Sequence, residues 1–145
     1  MLEGIWLPII TPFSKDKIDY KSYKRLIDYY IDKGISGLIP LGTTGEVPTI
    51  SDYEYEELIE KTMEYTRNRV PVYVGLGGNN THKVVKQLKI VEKHDIEGIL
   101  SVGPYYNRPS QRGIYEHYLK ISEATDLNII IYNIPYRTGR NIENE

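Results

Sequence analysis

The strongest constraint on the fold of this chain is a repeat of pattern rather than of residues. Short apolar runs alternate with longer amphipathic stretches. The runs are "GIWLPII" (4–10), "GLIPL" (37–41), "VPVYVGL" (70–76), "GILSV" (98–102) and "NIIIY" (128–132). Each is short and apolar on both of its alternating faces, so it reads as a strand covered on two sides. Between the runs the period becomes helical. "DYKSYKRLIDYYIDKG" puts Tyr23, Leu26, Ile27, Tyr30 and Ile31 on one helix face, with Gly34 just past its end. Ser51 and Glu54 have capping-box spacing for a second helix with Tyr55, Leu58, Ile59 and Met63 inward. Thr81 is the expected N-cap of a third, with Val84, Val85, Leu88 and Val91 on one side. Ser110 is suited to cap a fourth, carrying Ile114, Tyr118 and Ile121.

Five strands joined by four helices, at a repeat of roughly thirty residues, form successive βαβ units. The strands must then be parallel and the crossovers right-handed. No linker or low-complexity segment divides the chain, so residues 1–145 read as one domain. Periodicity alone fits an open sheet and part of a barrel equally. A complete eightfold barrel needs about 200 residues, and the chain has 145.

Composition bounds the functional classes. The formal net charge of -2 offers no electrostatic surface for nucleic acid or for an anionic membrane. With no cysteine, disulfides, thiolate catalysis and cysteine-held metals are all excluded, and a cytoplasmic location is expected. The segment "MLEGIWLPIITPF" lacks a basic start and is interrupted by Pro8 and Pro12, so it reads as neither signal peptide nor spanning helix. His82, His94 and His117 are scattered without metal-ligand spacing and read as surface or helix-face residues; no metal is expected. Fourteen tyrosines stand against one phenylalanine. Most should be half-buried, ring inside and hydroxyl wet.

The polar, glycine-rich and aromatic residues gather after the strands: "TPF", "GTTGE", "GGNN", "GPYYNRPSQ" and "NIPYRTG" in turn. Parallel α/β proteins bind ligands at the carboxyl ends of their strands. In "GTTGE", two glycines let backbone N–H groups approach an anion while Thr43 and Thr44 add hydroxyl donors. The same residues also suit a tight turn whose threonines bond their own backbone. The spacing is not that of a P-loop. Tyr105 and Tyr106 sit on a segment stiffened by Pro104 and Pro109. If that segment is extended, one ring enters the site and the other leaves it; a surface packing pair is the alternative. Tyr132 ends the fifth strand, where a phenol can shuttle protons. Arg137 can hold a carboxylate in bidentate fashion, or simply be solvated.

The ordered set "TPF", "GTTGE", "GPYYNRPSQ" and "YNIPYRTG", each after its own strand, resembles the dihydrodipicolinate (4-hydroxy-tetrahydrodipicolinate) synthase family of pyruvate-dependent class I aldolases, relatives of N-acetylneuraminate lyase. The resemblance covers the whole chain and about the first half of the family's (β/α)8 TIM barrel. It implies condensation of pyruvate with aspartate semialdehyde through a lysine Schiff base, on the route to lysine and diaminopimelate, with no cofactor. By the motifs, Thr43, Tyr106 and Tyr132 match the family's proton-relay triad. Thr43 and Thr44 match the holders of the pyruvate carboxylate, and Arg137 matches the group that binds the aldehyde substrate's carboxylate.

The resemblance also implies departures. In lysine-inhibited members an effector pocket lies at a tight dimer interface, and its positions match Asp52, Tyr55, Asn79, Lys83 and Tyr105. A glutamate normally stands where Lys83 is found, and Lys83 repels an effector ammonium. Lysine insensitivity is therefore expected. The chain ends at Glu145, before the family's sixth strand and its Schiff-base lysine. It is expected to be the N-terminal part of a synthase and inactive alone; the alternatives are assembly with a separate C-terminal half, a non-catalytic ketoacid-binding or structural half-barrel, and a related pyruvate-dependent aldolase such as N-acetylneuraminate lyase. Open edges at the first and fifth strands point to a homo-oligomer.

Overall fold

The computed structural model describes residues 2–144. Its parallel strands are β1 (Trp6–Pro8), β4 (Gly37–Ile39), β5 (Tyr73–Gly75), β6 (Gly98–Val102) and β7 (Asn128–Tyr132). They are shorter than the apolar runs that announce them, because the strand ends peel away into loops. Each pairs with its predecessor: Trp6 opposite Gly37, Tyr73 opposite Gly98, Gly98 opposite Asn128. A single parallel bridge between Leu38 and Val72 joins β4 to β5. This strictly sequential order resolves the ambiguity left by periodicity. A doubly wound sheet would reverse direction partway; this one advances one way only, as the N-terminal half of a (β/α)8 barrel does.

The helices α1 (Tyr20–Asp32), α2 (Asp52–Thr66), α3 (Thr81–Val91) and α4 (Gln111–Ser122) each pack on the next. Their buried faces carry Tyr23 and Ile27, then Leu58 and Ile59, then Val84, Leu88 and Val91, then Ile114 and Ile121. Each fully buried aliphatic side chain among these contributes about 1.5–3 kcal/mol. On β6 the alternation is explicit. Ile99 and Ser101 are fully buried, whereas Leu100 and Val102 face the barrel interior.

The capping box of Ser51 and Glu54, the Ser110 cap and the left-handed Gly34 stop are all present. The third cap is not Thr81 but Asn80, whose extended backbone lets its side chain accept from the Lys83 N–H at 3.1 Å. Thr81 is the first helical residue, and its hydroxyl instead meets Nδ1 of His117 at 2.9 Å.

A hairpin, a single 3-10 turn at Val47–Thr49 and a short helix have no counterpart in the pattern of runs. A small antiparallel hairpin, β2 (Phe13–Ser14) with β3 (Lys17–Ile18), turns through Lys15 and Asp16, both with positive φ. Two left-handed residues in a two-residue loop make a type I′ turn without the usual Asn-Gly signal. A single-turn helix, α5 (Pro135–Thr138), begins on a proline and stops at left-handed Gly139.

The tyrosines do not follow the expected half-buried pattern. Tyr23, Tyr55, Tyr73 and Tyr118 are buried, while Tyr29, Tyr53, Tyr105, Tyr106, Tyr115 and Tyr136 are exposed. Buried phenols are tolerated because their hydroxyls find partners: Tyr23 with Thr62 Oγ1 at 2.8 Å, and Tyr118 with the Ser101 carbonyl at 3.0 Å. Burial pushes both phenols well above the ordinary range, so they stay protonated. No helix among the described residues is long and apolar enough to cross a membrane.

Candidate active site

The loops at the carboxyl ends of the strands enclose two adjoining cavities. The larger, about 510 Å³, lies inside the arc of strands. Its walls bring together Thr43 from the loop after β4, Tyr105 and Tyr106 from the loop after β6, Tyr132 from the end of β7, and Arg137 from α5. Four of the five residues expected on this site are therefore gathered at one place. The fifth, Thr44, is exposed beside it and is not among the wall residues.

The "GTTGE" segment folds as two overlapping turns. The Gly45 N–H donates to the Gly42 carbonyl at 3.0 Å, and the Glu46 N–H to the Thr43 carbonyl at 3.1 Å. Left-handed Leu41 and Glu46 flank the turns. Among the described residues, the N–H groups of Thr43 and Thr44 have no hydrogen-bond partner. Two free N–H groups with two hydroxyls make a concentrated donor set of the kind that holds a carboxylate. The tight-turn reading and the anion reading of this loop are thus both realised, by different N–H groups.

The Tyr105–Tyr106 segment is not extended: Tyr106 has a φ of 71° and Arg108 a φ of 49°, and both tyrosines line the same cavity. Tyr106 is 91% exposed. Tyr132 is half-buried.

Arg137 stands on a short platform clamped to the preceding loop. Asn133 Nδ2 donates to Asn141 Oδ1 at 2.8 Å, and Gln111 Nε2 to the Asn141 carbonyl at 2.9 Å. Thr138, buried, donates its hydroxyl to the Arg140 carbonyl at 2.8 Å. Gly139 has a φ of 73°, a left-handed conformation that favours glycine.

The smaller cavity, about 290 Å³, is lined by Asp52, Tyr55, Asn79, Lys83 and Tyr105 among others. All five expected effector-pocket positions are therefore contiguous. Lys83 Nζ lies 3.9 Å from an Asp52 carboxylate oxygen across its rim. Tyr105 and the segment Gly75–Gly77 line both cavities. At Gly75 a β-carbon would overlap the Leu41 carbonyl, so the loops after β4 and β5 touch backbone to backbone.

The larger cavity has no lysine among its wall residues. Lys15 and Lys17 belong to the hairpin, and Lys83 faces the smaller cavity. Among the described residues, no cluster of His, Asp and Glu has metal-binding geometry. One contributor escaped attention in the sequence. Thr11, in "TPF", is 3% exposed and donates to the Gly45 carbonyl at 2.8 Å. A threonine just past a strand gives no local signal of a contact 34 residues away.

The sequence pattern of the dihydrodipicolinate synthetase family matches residues 1–145. The chain is similar to 4-hydroxy-tetrahydrodipicolinate synthase 2 of Clostridium acetobutylicum, 59% identical over 144 residues, which are 99% of this chain and 50% of that protein. The dihydrodipicolinate synthase of Thermotoga maritima superimposes with a TM-score of 0.95 at 47% identity, covering 98% of this chain and 48% of that one. A chloride-inhibited dihydrodipicolinate synthase from Acinetobacter baumannii, solved with pyruvate, superimposes with a TM-score of 0.96 at 36% identity, covering 99% and 50%. The chain thus spans about half the length of the relatives it matches, their N-terminal half.

Proposed function

This chain belongs to the dihydrodipicolinate synthetase family, and on that premise we propose that residues 1–145 form the carboxylate-binding and proton-relay side of a synthase site condensing pyruvate with aspartate semialdehyde. The observation that carries this reading is the meeting of Thr43, Tyr106, Tyr132 and Arg137, from three strand–helix units, on one cavity at the carboxyl ends of the strands. The ketoacid carboxylate rests on the "GTTGE" turn, held by the free N–H groups and hydroxyls of Thr43 and Thr44. A lysine outside these residues attacks the ketone carbon and expels water, giving the iminium. Loss of a methyl proton gives the enamine that adds to the aldehyde. Thr43, Tyr106 and Tyr132 pass the protons these steps require. Arg137, in the wall of the cavity, pairs with the carboxylate of the aldehyde substrate.

A ketoacid-binding half without chemistry of its own is the second reading, favoured by the lack of a lysine on the cavity wall. Pyruvate with borohydride separates the two. The full-length protein carrying these residues should gain a reduced adduct on a lysine beyond residue 145, while residues 1–145 alone keep their mass. An adduct on any lysine within residues 1–145 would overturn the assignment of roles. No adduct on the full-length protein would favour the binder, and cleavage of N-acetylneuraminate in place of the condensation would favour the lyase branch. The absence of cysteine supports the cytoplasm as the place of work.

A further inference from the structure

We infer that Thr11 is a positioning residue for the ketoacid-binding turn, and so sets affinity for the ketoacid without touching it. The inference rests on the proposed function of that turn. Three observations meet at this residue. Its hydroxyl is almost fully buried and makes one long-range bond, to the carbonyl of Gly45 at 2.8 Å. Gly45 lies flat on its surroundings: a β-carbon there would sit 3.1 Å from the Leu41 nitrogen and 3.2 Å from the Ile9 carbonyl oxygen. The turn it closes is flanked by two residues other than glycine in the left-handed region, Leu41 at φ 59° and Glu46 at φ 57°.

Left-handed backbone at such residues persists only where the surroundings over-determine it. The turn's own bonds, from Gly45 and Glu46 back to Gly42 and Thr43, fix its internal shape. They do not fix its rotation relative to the sheet. Thr11 does that from outside the turn. It lies two residues beyond Ile9, whose N–H donates to the Ile39 carbonyl at 3.1 Å, so the anchor is a short step from the β1–β4 pair. The Thr11 hydroxyl holds the Gly45–Glu46 peptide in one plane, and that plane determines where the Thr43 and Thr44 N–H groups lie. Losing the hydroxyl leaves the turn its shape and frees its tilt.

The test uses the full-length protein with Thr11→Val, which keeps the shape and removes the donor, and Thr11→Ser, which keeps the donor. Wild-type condensation activity tests the underlying reading; the ratios between variants test Thr11. Thr11→Val should raise the KM for pyruvate roughly fivefold to tenfold, the loss of one buried hydrogen bond. Its KM for the aldehyde should stay near wild type, its kcat should fall less than its affinity for pyruvate because Thr43 on the same turn also serves the relay, and Thr11→Ser should restore the pyruvate KM. An unchanged pyruvate KM in Thr11→Val overturns the inference. So does a fall in kcat with both KM values and the melting temperature moving together, or a serine variant that behaves like valine. If the valine variant does not fold, Thr11→Ala against Thr11→Ser, both smaller than threonine, gives the same comparison.

Discussion

Tyr55 donates its buried hydroxyl to the carbonyl of Gly75 at 3.0 Å, tying the first turn of α2 to the end of β5. That carbonyl belongs to the wall shared by the two cavities. The hydroxyl therefore braces the partition between the candidate catalytic site and its neighbour. Tyr55→Phe leaves the ring in place and the Gly75 carbonyl buried without a donor. It should cost about 1–3 kcal/mol, read as a lower urea midpoint with an unchanged slope. A stability equal to wild type would mean that water or a shifted backbone takes the place of the phenol.

The neighbouring cavity has its own consequence for control. Lys83 places a cation at the rim of this cavity, and if the cavity is the expected effector pocket, a lysine entering it brings a second cation. The full-length enzyme should keep its activity in millimolar lysine, and Lys83→Glu should increase its response. Strong inhibition of the unaltered enzyme by lysine would contradict this.

His117 makes stability depend on pH in a defined direction. It is 3% exposed, its Nδ1 is engaged by Thr81, and its Nε2 is buried without a partner among the described residues. Burial holds its pKa below the ordinary 6.5. The unfolded chain therefore takes up a proton before the native one does. Its neutral form contributes fully above about pH 6.5, and that contribution is lost as pH falls from there toward the depressed native value. The melting temperature should drop between pH 7.5 and 5.5, roughly one unit either side of the ordinary histidine value. His117→Gln should flatten that drop. An equal drop in both proteins would place the acid sensitivity elsewhere.

The exposed edges make a prediction for residues 1–145 in isolation. β1 and β7 each have a strand on one side only among the described residues, and Ile10 and Ile131 are each 49% exposed. Unpaired strand edges beside apolar side chains associate. Sedimentation at micromolar concentration should show a homo-oligomer or larger aggregates. A clean monomer would show that these edges are protected.

The strands and helices were legible because their periods, two and 3.6, are set by backbone geometry and by which face is buried. The expected site residues were legible by chemistry and position, since loops after parallel strands collect ligands. The hairpin was not, because Lys15 and Asp16 adopt the left-handed conformation without the glycine that normally marks it. The bend at Tyr106 was hidden for the same reason: a bulky residue at positive φ is invisible in a pattern of residue types. Thr11 and Tyr55 were hidden differently. Their importance lies in which carbonyl they reach, and that is fixed only once distant loops are folded against one another.

The sequential strand order carries a consequence for how the molecule is made. Every parallel pairing joins residues roughly thirty positions apart, as Trp6 with Gly37 and Gly98 with Asn128. A nascent chain leaving the ribosome can thus settle one unit at a time, each new strand zipping onto the one already laid down. The carboxylate turn and its Thr11 anchor are complete once the first two parallel strands have emerged. The proposed ketoacid seat is assembled early in synthesis, before the tyrosines and arginine that line the same cavity.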